Sequence, residues 1–320
     1  MIDNHNRKIN YLRLSVTDLC NLRCLYCMPG EGVEKKCHNQ IFRIEELVDL
    51  VRTAAELGVK KVRLTGGEPL IRRGNLVLVE QIKAIPGIDE LTLTTNGLLL
   101  SDQAAALKEA GLDRVNISLD TLKPERFHLI TRRDDFNRVM KGIDQALAVG
   151  LTPLKINVVL LKGVNDDEIP DFADLARRYD IEIRFIELMP VGEASAWGQD
   201  YYLSNRVVLD ALPELGREGV MAPGQPSEVF HLKGGRGRIG LINPISHKFC
   251  SHCNRLRISA DGKLMPCLHS NQSIDIRALW NQGMTTAEIF RQAVDLKPKE
   301  HRLDLGEHQE AVCSMHSVGG

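Results

Sequence analysis

The stretch AAELGVKKVRL, residues 54–64, decides the fold because its pattern occurs three times along the chain. It returns as LKEAGLDRVNI at 107–117 and as ALAVGLTPLKI at 146–156. In each copy a helix-like run ends on a glycine (Gly58, Gly111 or Gly150), and apolar residues follow four and six positions later. Glycine suits the left-handed residue that ends a helix. The glycines are 53 and 39 residues apart, so the pattern is a recurring helix-to-strand junction and not a solenoid repeat.

Strand-like and helix-like segments alternate around these junctions, which predicts a parallel sheet. The predicted strands are Tyr11–Val16, Lys61–Thr65, Leu91–Thr95, Arg114–Ser118, Lys155–Leu161 and Ile181–Glu187. The predicted helices are Ile44–Leu57, Leu76–Ala84, Asp102–Ala110, Phe136–Val149 and Ile169–Tyr179. Six units fit before about residue 190, whereas a complete barrel needs eight units and about 250 residues. We therefore predict an α/β fold, with an incomplete (β/α)6 TIM-type barrel at 1–225 and a smaller C-terminal α+β region at 226–320.

Composition limits the classes of function. The chain has 320 residues, 43% of them hydrophobic, and its 41 basic and 42 acidic residues give a net charge of −1. A near-neutral chain has no long-range attraction for nucleic acid or membranes, so an anion would be bound by a local cluster of cations. The N-terminal residues lack an apolar signal core, and no run approaches the roughly 18 apolar residues of a membrane span. We expect a cytoplasmic monomer or homodimer with no nucleic-acid or membrane partner.

Polar side chains interrupt the predicted strands, although parallel strands covered by helices are normally almost entirely apolar. The polar residues, each flanked by apolar ones, are Arg13, Arg63, Thr94, Asn116, Ser118, Lys155, Asn157 and Arg184. A single one could be a charge that reaches solvent at a strand end. The whole set predicts a polar lumen whose Arg and Lys side chains bind an anion such as a phosphate group.

Glycine-rich or polar turns follow several predicted strands, namely TGGEP at 65–69, TTNG at 94–97, SLD at 118–120 and ELMP at 187–190. In barrel folds this C-terminal edge of the sheet carries the chemistry. Three cysteines, Cys20, Cys24 and Cys27, follow the first predicted strand. We expect them at the same edge.

Six of the eight cysteines form two triads, Cys20, Cys24 and Cys27 and, far along the chain, Cys250, Cys253 and Cys267. Cys37 and Cys313 belong to neither, and we assign them no role. A disulfide framework is typical of small secreted domains and does not fit this long chain. The C-x3-C-x2-C spacing of the first triad suits a tripod of thiolates that holds a [4Fe-4S] cluster. Three thiolates leave one iron open, and an open position is typical of catalytic metal sites.

The second triad leaves two alternatives open. One of His247, His252 and His269 could complete a zinc site with the three thiolates. The same thiolates could instead hold another iron–sulfur cluster with an open iron.

Asp261-Gly262 lies between two short apolar runs, which predicts a hairpin with a two-residue turn. Pairing Ala260 with Lys263 would set Cys267 opposite Leu256. The third cysteine would then return to the CxxC motif and to its neighbours Arg255 and Arg257.

The first cysteine motif, with Tyr26 before its last cysteine, and GGEP at 66–69 resemble the radical S-adenosylmethionine (SAM) superfamily. Seven longer motifs resemble, more closely, the GTP 3′,8-cyclase family of molybdenum cofactor biosynthesis. They are RLSVTDLCNLRCLYCMP (13–29), RLTGGEPL (63–70), LTTNGLLL (93–100), NISLD (116–120), LKINVVLLKGVND (154–166), IRFIELMP (183–190) and CSHCNRLRISADGKLMPCL (250–268). With the terminal Gly319-Gly320, the resemblance covers nearly the whole chain.

The resemblance implies two [4Fe-4S] clusters and SAM as cofactors, and it implies a role for each matching residue. Cys20, Cys24 and Cys27 would hold the cluster that binds SAM, and Cys250, Cys253 and Cys267 would hold a second cluster whose open iron meets the guanine of GTP. The implied SAM contacts are Tyr26, Gly67, Ser118 and Met189. The implied GTP contacts are Arg13, Arg63, Thr94, Lys155, Arg184, Arg255, Leu256 and Arg257. The Gly319-Gly320 tail would enter the site.

The resemblance also implies the reaction. One electron from an external donor cleaves SAM at the first cluster, and the 5′-deoxyadenosyl radical abstracts hydrogen from C3′ of GTP. The C3′ radical adds to C8 of guanine, and reduction gives the cyclised product, which would pass to cyclic pyranopterin monophosphate synthase. Two alternatives stay open: a radical SAM enzyme that modifies a peptide and has an auxiliary cluster, and a non-catalytic regulator that binds zinc or a cluster.

Overall fold

A computed structural model describes residues 1–217, 224–270, 272–301 and 315–319. Its strands are β1 (Tyr11–Ser15), β2 (Lys61–Thr65), β3 (Glu90–Thr95), β4 (Arg114–Ser118), β5 (Leu154–Leu160), β6 (Ile181–Glu187), β7 (Gly216–Arg217), β8 (Ser227–His231), β9 (Arg238–Ile242), β10 (Arg255–Ile258), β11 (Lys263–Met265) and β12 (Ile274–Asp275). Its helices are α1 (Ile44–Glu56), α2 (Asn75–Lys83), α3 (Leu100–Glu109), α4 (Pro124–Thr131), α5 (Phe136–Ala148), α6 (Ile169–Arg178), α7 (Gly198–Tyr201), α8 (Arg206–Ala211), α9 (Ile276–Asn281), α10 (Thr286–Asp295) and α11 (Met315–Val318). The ends of β1 to β6 agree with the predicted strands to within one residue.

The described strands form one sheet in the order β12-β11-β10-β1-β2-β3-β4-β5-β6-β9-β8-β7. Strands β1 to β6 are parallel and adjacent in chain order, as consecutive βαβ units require. The sheet is open, because β12 and β7 lie at its two ends. The predicted α/β fold with an incomplete TIM-type barrel is confirmed.

The repeated glycine junctions end helices α1, α3 and α5. Gly58, Gly111 and Gly150 have φ values of 95°, 96° and 73°, in the left-handed region. The amide after each glycine donates to a carbonyl five residues earlier, at 2.9 Å, in the pairs Val59–Ala54, Leu112–Leu107 and Leu151–Ala146. This is the Schellman arrangement, which satisfies the last carbonyls of a helix and turns the chain into the next strand.

The C-terminal region adds strands to both edges of the six-strand core. Strand β10 pairs in parallel with β1, and β9 pairs in parallel with β6. Eight parallel strands, from β10 to β9, therefore lie side by side, with antiparallel strands beyond them at each edge. The sequence did not predict this, because β9 and β10 lack the helix-to-strand junction that marks the core units. The division into 1–225 and 226–320 stays a prediction.

The hairpin between β10 and β11 is one residue wider than predicted. Ser259, and not Ala260, lies opposite Lys263: the Ser259 amide donates to the Lys263 carbonyl at 2.9 Å. The Ser259 hydroxyl also accepts from the Lys263 amide at 2.9 Å and donates to Asp261 at 2.5 Å, which stabilises a three-residue loop. The register, with Arg257 opposite Met265, sets Cys267 toward Arg255 instead of Leu256. A change of one residue reverses the face on which a side chain lies.

The core lies between the sheet and the helices that cover its outer face, with Leu12, Val62 and Ile156 fully buried in it. Helix α4 was not predicted; it is short and begins at a proline, as the first position of a helix allows. None of the helices in the described part of the chain is long and apolar enough to cross a membrane.

Candidate active site

The register between neighbouring strands determines which side chains lie together on the lumen face of the sheet. Residues two apart in a strand share a face. Arg257, Arg13 and Arg63 lie directly opposite one another on β10, β1 and β2. Farther round the sheet, Asn116 on β4 lies opposite Lys155 on β5. The polar residues predicted inside the strands therefore meet on one face, and the apolar residues between them face the helices.

These side chains line a cavity of about 400 Å³. Its wall contains all three cysteines of the second triad and six of the predicted GTP contacts, Arg13, Arg63, Lys155, Arg184, Arg255 and Arg257. Pockets of about 300–1,000 Å³ are the usual size for small-molecule ligands. The other two predicted GTP contacts do not line this cavity. Thr94 lies opposite Asn116 on the same face of the sheet, where its hydroxyl accepts from Arg63 at 3.4 Å. Leu256 is 1% exposed in the outer core, so only the Leu256 backbone could reach a ligand in the cavity.

The wall also contains Tyr11, Lys61, Arg114 and Lys297, which we did not select from the sequence. The two-residue period of a strand could have identified three of them, since Tyr11 and Lys61 precede Arg13 and Arg63 by two positions, and Arg114 precedes Asn116. No sequence pattern could have identified Lys297, because it follows α10 and only the tertiary fold brings it to the cavity. Its ammonium donates to the carbonyls of Arg255 at 2.7 Å and Pro266 at 2.6 Å.

Two carboxylates neutralise the cations on the β2–β6 side of the lumen. Glu90 accepts from Lys61 at 2.6 Å and from Arg114 at 2.5 Å. Glu182 lies between Lys155 and Arg184, at 2.5 Å from each. Such ion pairs hold the cations at fixed positions, and each Lys or Arg keeps further hydrogen-bond donors for a ligand.

On the β10–β1–β2 side of the lumen, Arg63 and Arg257 lack such carboxylate partners among the described residues. Arg63 donates to Thr92 and Thr94, and among the described residues neither Arg63 nor Arg257 forms an ion pair with a carboxylate. Burial and the neighbouring cations lower the pKa of Arg63 and of Arg257 to about 10. These guanidinium groups remain charged at neutral pH, and their mutual repulsion favours an incoming polyanion.

The C-terminal tail reaches this cationic wall. The carbonyl of Gly319 accepts from Arg257 at 2.6 Å and from Arg13 at 3.5 Å. Three residues earlier, a ring nitrogen of His316 lies 3.4 Å from the carbonyl of Cys27. The short α11 segment thus connects the first triad with the cavity that contains the second. Gly320 and Cys313 lie outside the described residues.

The first triad lies in the loop after β1, where all three thiols are half-buried and free of disulfides. The Cys20 sulfur accepts from the Leu22 amide at 3.4 Å and from the Asn96 side chain at 3.7 Å. Asn96 is fixed in turn by Glu68 of the GGEP turn, which accepts from its backbone amide at 2.7 Å. Hydrogen bonds of this kind orient a ligand and adjust the electron density on its sulfur.

The predicted SAM contacts Tyr26, Gly67, Ser118 and Met189 all lie at the C-terminal edge of the sheet. The Tyr26 hydroxyl donates to Asp120 at 2.6 Å, which ties the cysteine loop to the end of β4 beside Ser118. Met189 follows β6 and lines the cavity. Their roles as SAM contacts stay predictions.

Gly67 allows the GGEP turn to approach the cysteine loop closely. Its amide donates to the Thr17 carbonyl at 2.7 Å. A Cβ at Gly67 would lie 2.2 Å from the carbonyl oxygen of Leu19 and 2.8 Å from that of Asp18. These are backbone atoms of the loop that carries Cys20, so only glycine fits without moving that loop.

We expect Gly67→Ala to lower the free energy of unfolding by about 1–3 kcal/mol, the usual range for overpacking, and to reduce iron incorporation. The apo protein would be unfolded in denaturant and iron counted after anaerobic reconstitution. Gly216→Ala is the matched control, because a Cβ there meets no atom within 4 Å. Equal stability and iron content in the two variants would contradict the close approach.

The residues of both triads fit iron–sulfur ligation. Each triad offers three thiols with no bound disulfide partner. Among the described residues, no three His, Cys, Asp or Glu side chains converge closely enough to hold a single metal ion.

The two triads differ in their electrostatic surroundings. Burial, with the neighbouring carboxylate Glu68, raises the pKa of Cys20 to about 11, and burial with nearby anions raises that of Cys27 to about 12. In the second triad, burial also raises the pKa of Cys250, whereas at Cys253 Lys297 and Arg255 outweigh burial and lower the pKa of that thiol. Ligation releases the thiol protons, so iron binding at both triads depends on pH.

Lys155 supplies a pH-dependent charge to the cavity. Burial and the nearby Arg184 lower its pKa to about 8, although Glu182 acts in the opposite direction. Below that pH Lys155 is a cation, and above it the cavity loses one positive charge. For GTP, the substrate that the resemblance implies, we expect the affinity to fall about fivefold between about pH 7.5 and about pH 9, by the loss of one charge-assisted contact.

Anaerobic calorimetry across this range would test the expectation. Lys155→Arg is the control, because a guanidinium keeps its charge over the whole range and should remove most of the decline. A decline of the same size in Lys155→Arg would assign the pH dependence to another group.

Comparison with known proteins identifies the family of this chain. The profile of the radical SAM superfamily matches residues 14–176, and that of Molybdenum Cofactor Synthesis C matches residues 181–303. Two relatives named GTP 3′,8-cyclase come from Moorella thermoacetica and Alkaliphilus oremlandii, at 50% and 48% identity, each over 100% of both chains. Among solved structures, Streptococcus suis SuiB has a TM-score of 0.61 at 16% identity, covering 86% of this chain and 67% of its own, which shows the shared fold.

Identity of this level over the full length, together with both profile matches, establishes the family. The chain belongs to the radical SAM superfamily and, within it, to the GTP 3′,8-cyclase family.

Proposed function

We propose that this protein cyclises GTP by radical chemistry, the first step of molybdenum cofactor biosynthesis. The observation that carries the proposal is the cavity wall, where the second cysteine triad lies beside cations from β1, β2, β5, β6 and β10. A triphosphate has the charge that these cations would neutralise. The relatives' name, GTP 3′,8-cyclase, states a substrate of that chemical class.

Different side chains would contact different parts of the substrate. Arg13, Arg63 and Arg257 would bind phosphate oxygens, since no carboxylate among the described residues pairs with the latter two. Arg255 lines the cavity with Cys253, two residues away in the chain, so the guanine end would lie toward the second triad. Phosphate contacts would then position the ribose at the mouth, toward the first triad.

When bound, SAM and a [4Fe-4S] cluster on Cys20, Cys24 and Cys27 supply a 5′-deoxyadenosyl radical. The chain's own task is to hold C3′ of the ribose within reach of that radical and to exclude water. Hydrogen abstraction from C3′ and bond formation to C8 of guanine leave a radical that one electron and one proton convert to the 3′,8-cyclised product. We further propose a second cluster on Cys250, Cys253 and Cys267, an external one-electron donor, and delivery of the product to cyclic pyranopterin monophosphate synthase.

An anaerobic assay tests the function. The protein would be reconstituted with iron and sulfide and mixed with SAM, a strong reductant and GTP. We expect 5′-deoxyadenosine to form with consumption of GTP and release of the cyclised nucleotide. SAM cleavage that ignores GTP would favour the peptide-modifying alternative, and stoichiometric zinc without SAM cleavage would favour a non-catalytic regulator.

Gly319 provides a test of the tail. Its φ is +69°, and a Cβ would lie 2.3 Å from the side chain of Thr65, at the end of β2. We expect Gly319→Ala to displace the tail from Arg257 and to lower turnover on the order of tenfold or more, because misplacement near the reacting atoms costs much of the rate. Iron content should stay unchanged, and Gly216→Ala again serves as control. Wild-type turnover in Gly319→Ala would show that the tail contact has no role in the reaction.

A further inference from the structure

Tyr11 lies at the centre of the cationic side of the cavity. Strand register puts Lys61 directly opposite it on β2 and Arg255 directly opposite it on β10. The Lys61 ammonium is 5.2 Å from the centre of the Tyr11 ring, and the guanidinium carbons of Arg63 and Arg255 are each 5.9 Å from it. Distances within about 6 Å allow a cation–π interaction, so three cations from two neighbouring strands share one ring.

Of these three cations, two have no carboxylate partner among the described residues. Lys61 reaches Glu90, but among the described residues neither Arg63 nor Arg255 forms an ion pair with a carboxylate. Tyr11 is 8% exposed and lies in β1. An aromatic face attracts cations through its quadrupole. Below about pH 7 the Tyr11 phenol also carries no net charge, so there it can hold the cations close together without repelling an anionic ligand.

We propose that the aromatic ring of Tyr11 is a positioning residue for the triphosphate, because it holds Arg63, Arg255 and Lys61 in place for phosphate binding. The inference rests on the proposed function, which places the triphosphate in this cavity. A carboxylate at the same position would also order the cations, but it would oppose the binding of a polyanion. The aromatic ring orders these cations without opposing the binding of the triphosphate. Its role therefore differs from that of the carboxylates Glu90 and Glu182.

The contribution of the Tyr11 hydroxyl can be tested separately from that of the aromatic ring. The hydroxyl makes no hydrogen bond to a described residue. Burial raises the pKa of Tyr11, but Arg63, Arg13, Lys61 and Arg255 outweigh burial and lower it to about 7. Measurements at about pH 6 therefore keep the phenol mostly neutral and test the ring alone.

Binding of GTP and of inorganic tripolyphosphate would be measured by anaerobic calorimetry on the reconstituted protein at about pH 6. We expect Tyr11→Phe to bind both within about threefold of wild type, and Tyr11→Leu to bind both about tenfold more weakly, through loss of the cation–π contacts. In turnover, Tyr11→Leu should raise KM for GTP more than it lowers kcat. Tyr179→Leu, at a tyrosine that is 42% exposed, is the control.

The outcomes are distinguishable. Wild-type protein that binds neither ligand would refute the proposed function itself. If wild type binds and Tyr11→Leu binds equally well, the role of the ring is refuted. Equal losses in Tyr11→Phe and Tyr11→Leu would assign the effect to the hydroxyl and also refute it. Iron content at the wild-type level and an unchanged free energy of unfolding of the apo protein would show that each variant is folded.

Discussion

Replacement of Cys24 by serine is expected to abolish SAM cleavage and to lower the iron content from about eight to about four per chain, the content of one remaining four-iron cluster. Cys24 is the middle thiol of the first triad, and burial with the nearby Cys27 and Asp120 raises its pKa. A serine hydroxyl at this position would not ionise in such surroundings and is a poor iron ligand. With only two thiolates, the first cluster would be lost.

Iron and sulfide analysis with electron paramagnetic resonance of the reduced protein would measure this change. Cys37→Ser is the matched control, because Cys37 is exposed and lies outside both triads. It should retain about eight irons and full activity. If the wild-type protein contains only about four irons per chain, the proposed second cluster is refuted.

Replacement of Arg255 and Arg257 together by alanine is expected to weaken GTP binding on the order of 100-fold or more, since hydrogen bonds to charged groups contribute about 1.5–3 kcal/mol each. Both residues line the cavity next to the second triad, and Arg257 forms no ion pair with a carboxylate among the described residues. Their guanidinium groups point away from the core, which is filled by Leu256 between them. Both clusters should therefore form normally.

Calorimetric GTP affinity and iron content, measured on the same preparation, separate binding from folding. A second double variant, Arg52→Ala with Arg138→Ala, removes the same charge from exposed side chains and should leave affinity unchanged. Unchanged GTP affinity in the cavity variant would refute the assigned role of these arginines.

The sequence predicted the barrel core because its signals are local. Helix-ending glycines such as Gly58 act through hydrogen bonds within six residues, and side-chain alternation is a property of a single strand. The spacing of Cys20, Cys24 and Cys27 is equally local, so the triad could be recognised as a cluster motif before any fold was known. The same alternation indicated that Arg13 and Arg63 share a face.

Only the tertiary structure decided how distant segments complete the site. Nothing in the local pattern indicates that β10 pairs with β1, yet this pairing places Arg255 beside Tyr11 and Arg257 beside Arg13. The hairpin register depended on the side chain of Ser259, which widens the turn by one residue and turns Cys267 into the cavity. Lys297 and Gly319 reach the wall from segments with no strand pattern. Periodicity determines which face a residue occupies, whereas the partners across that face depend on contacts between residues far apart in the chain.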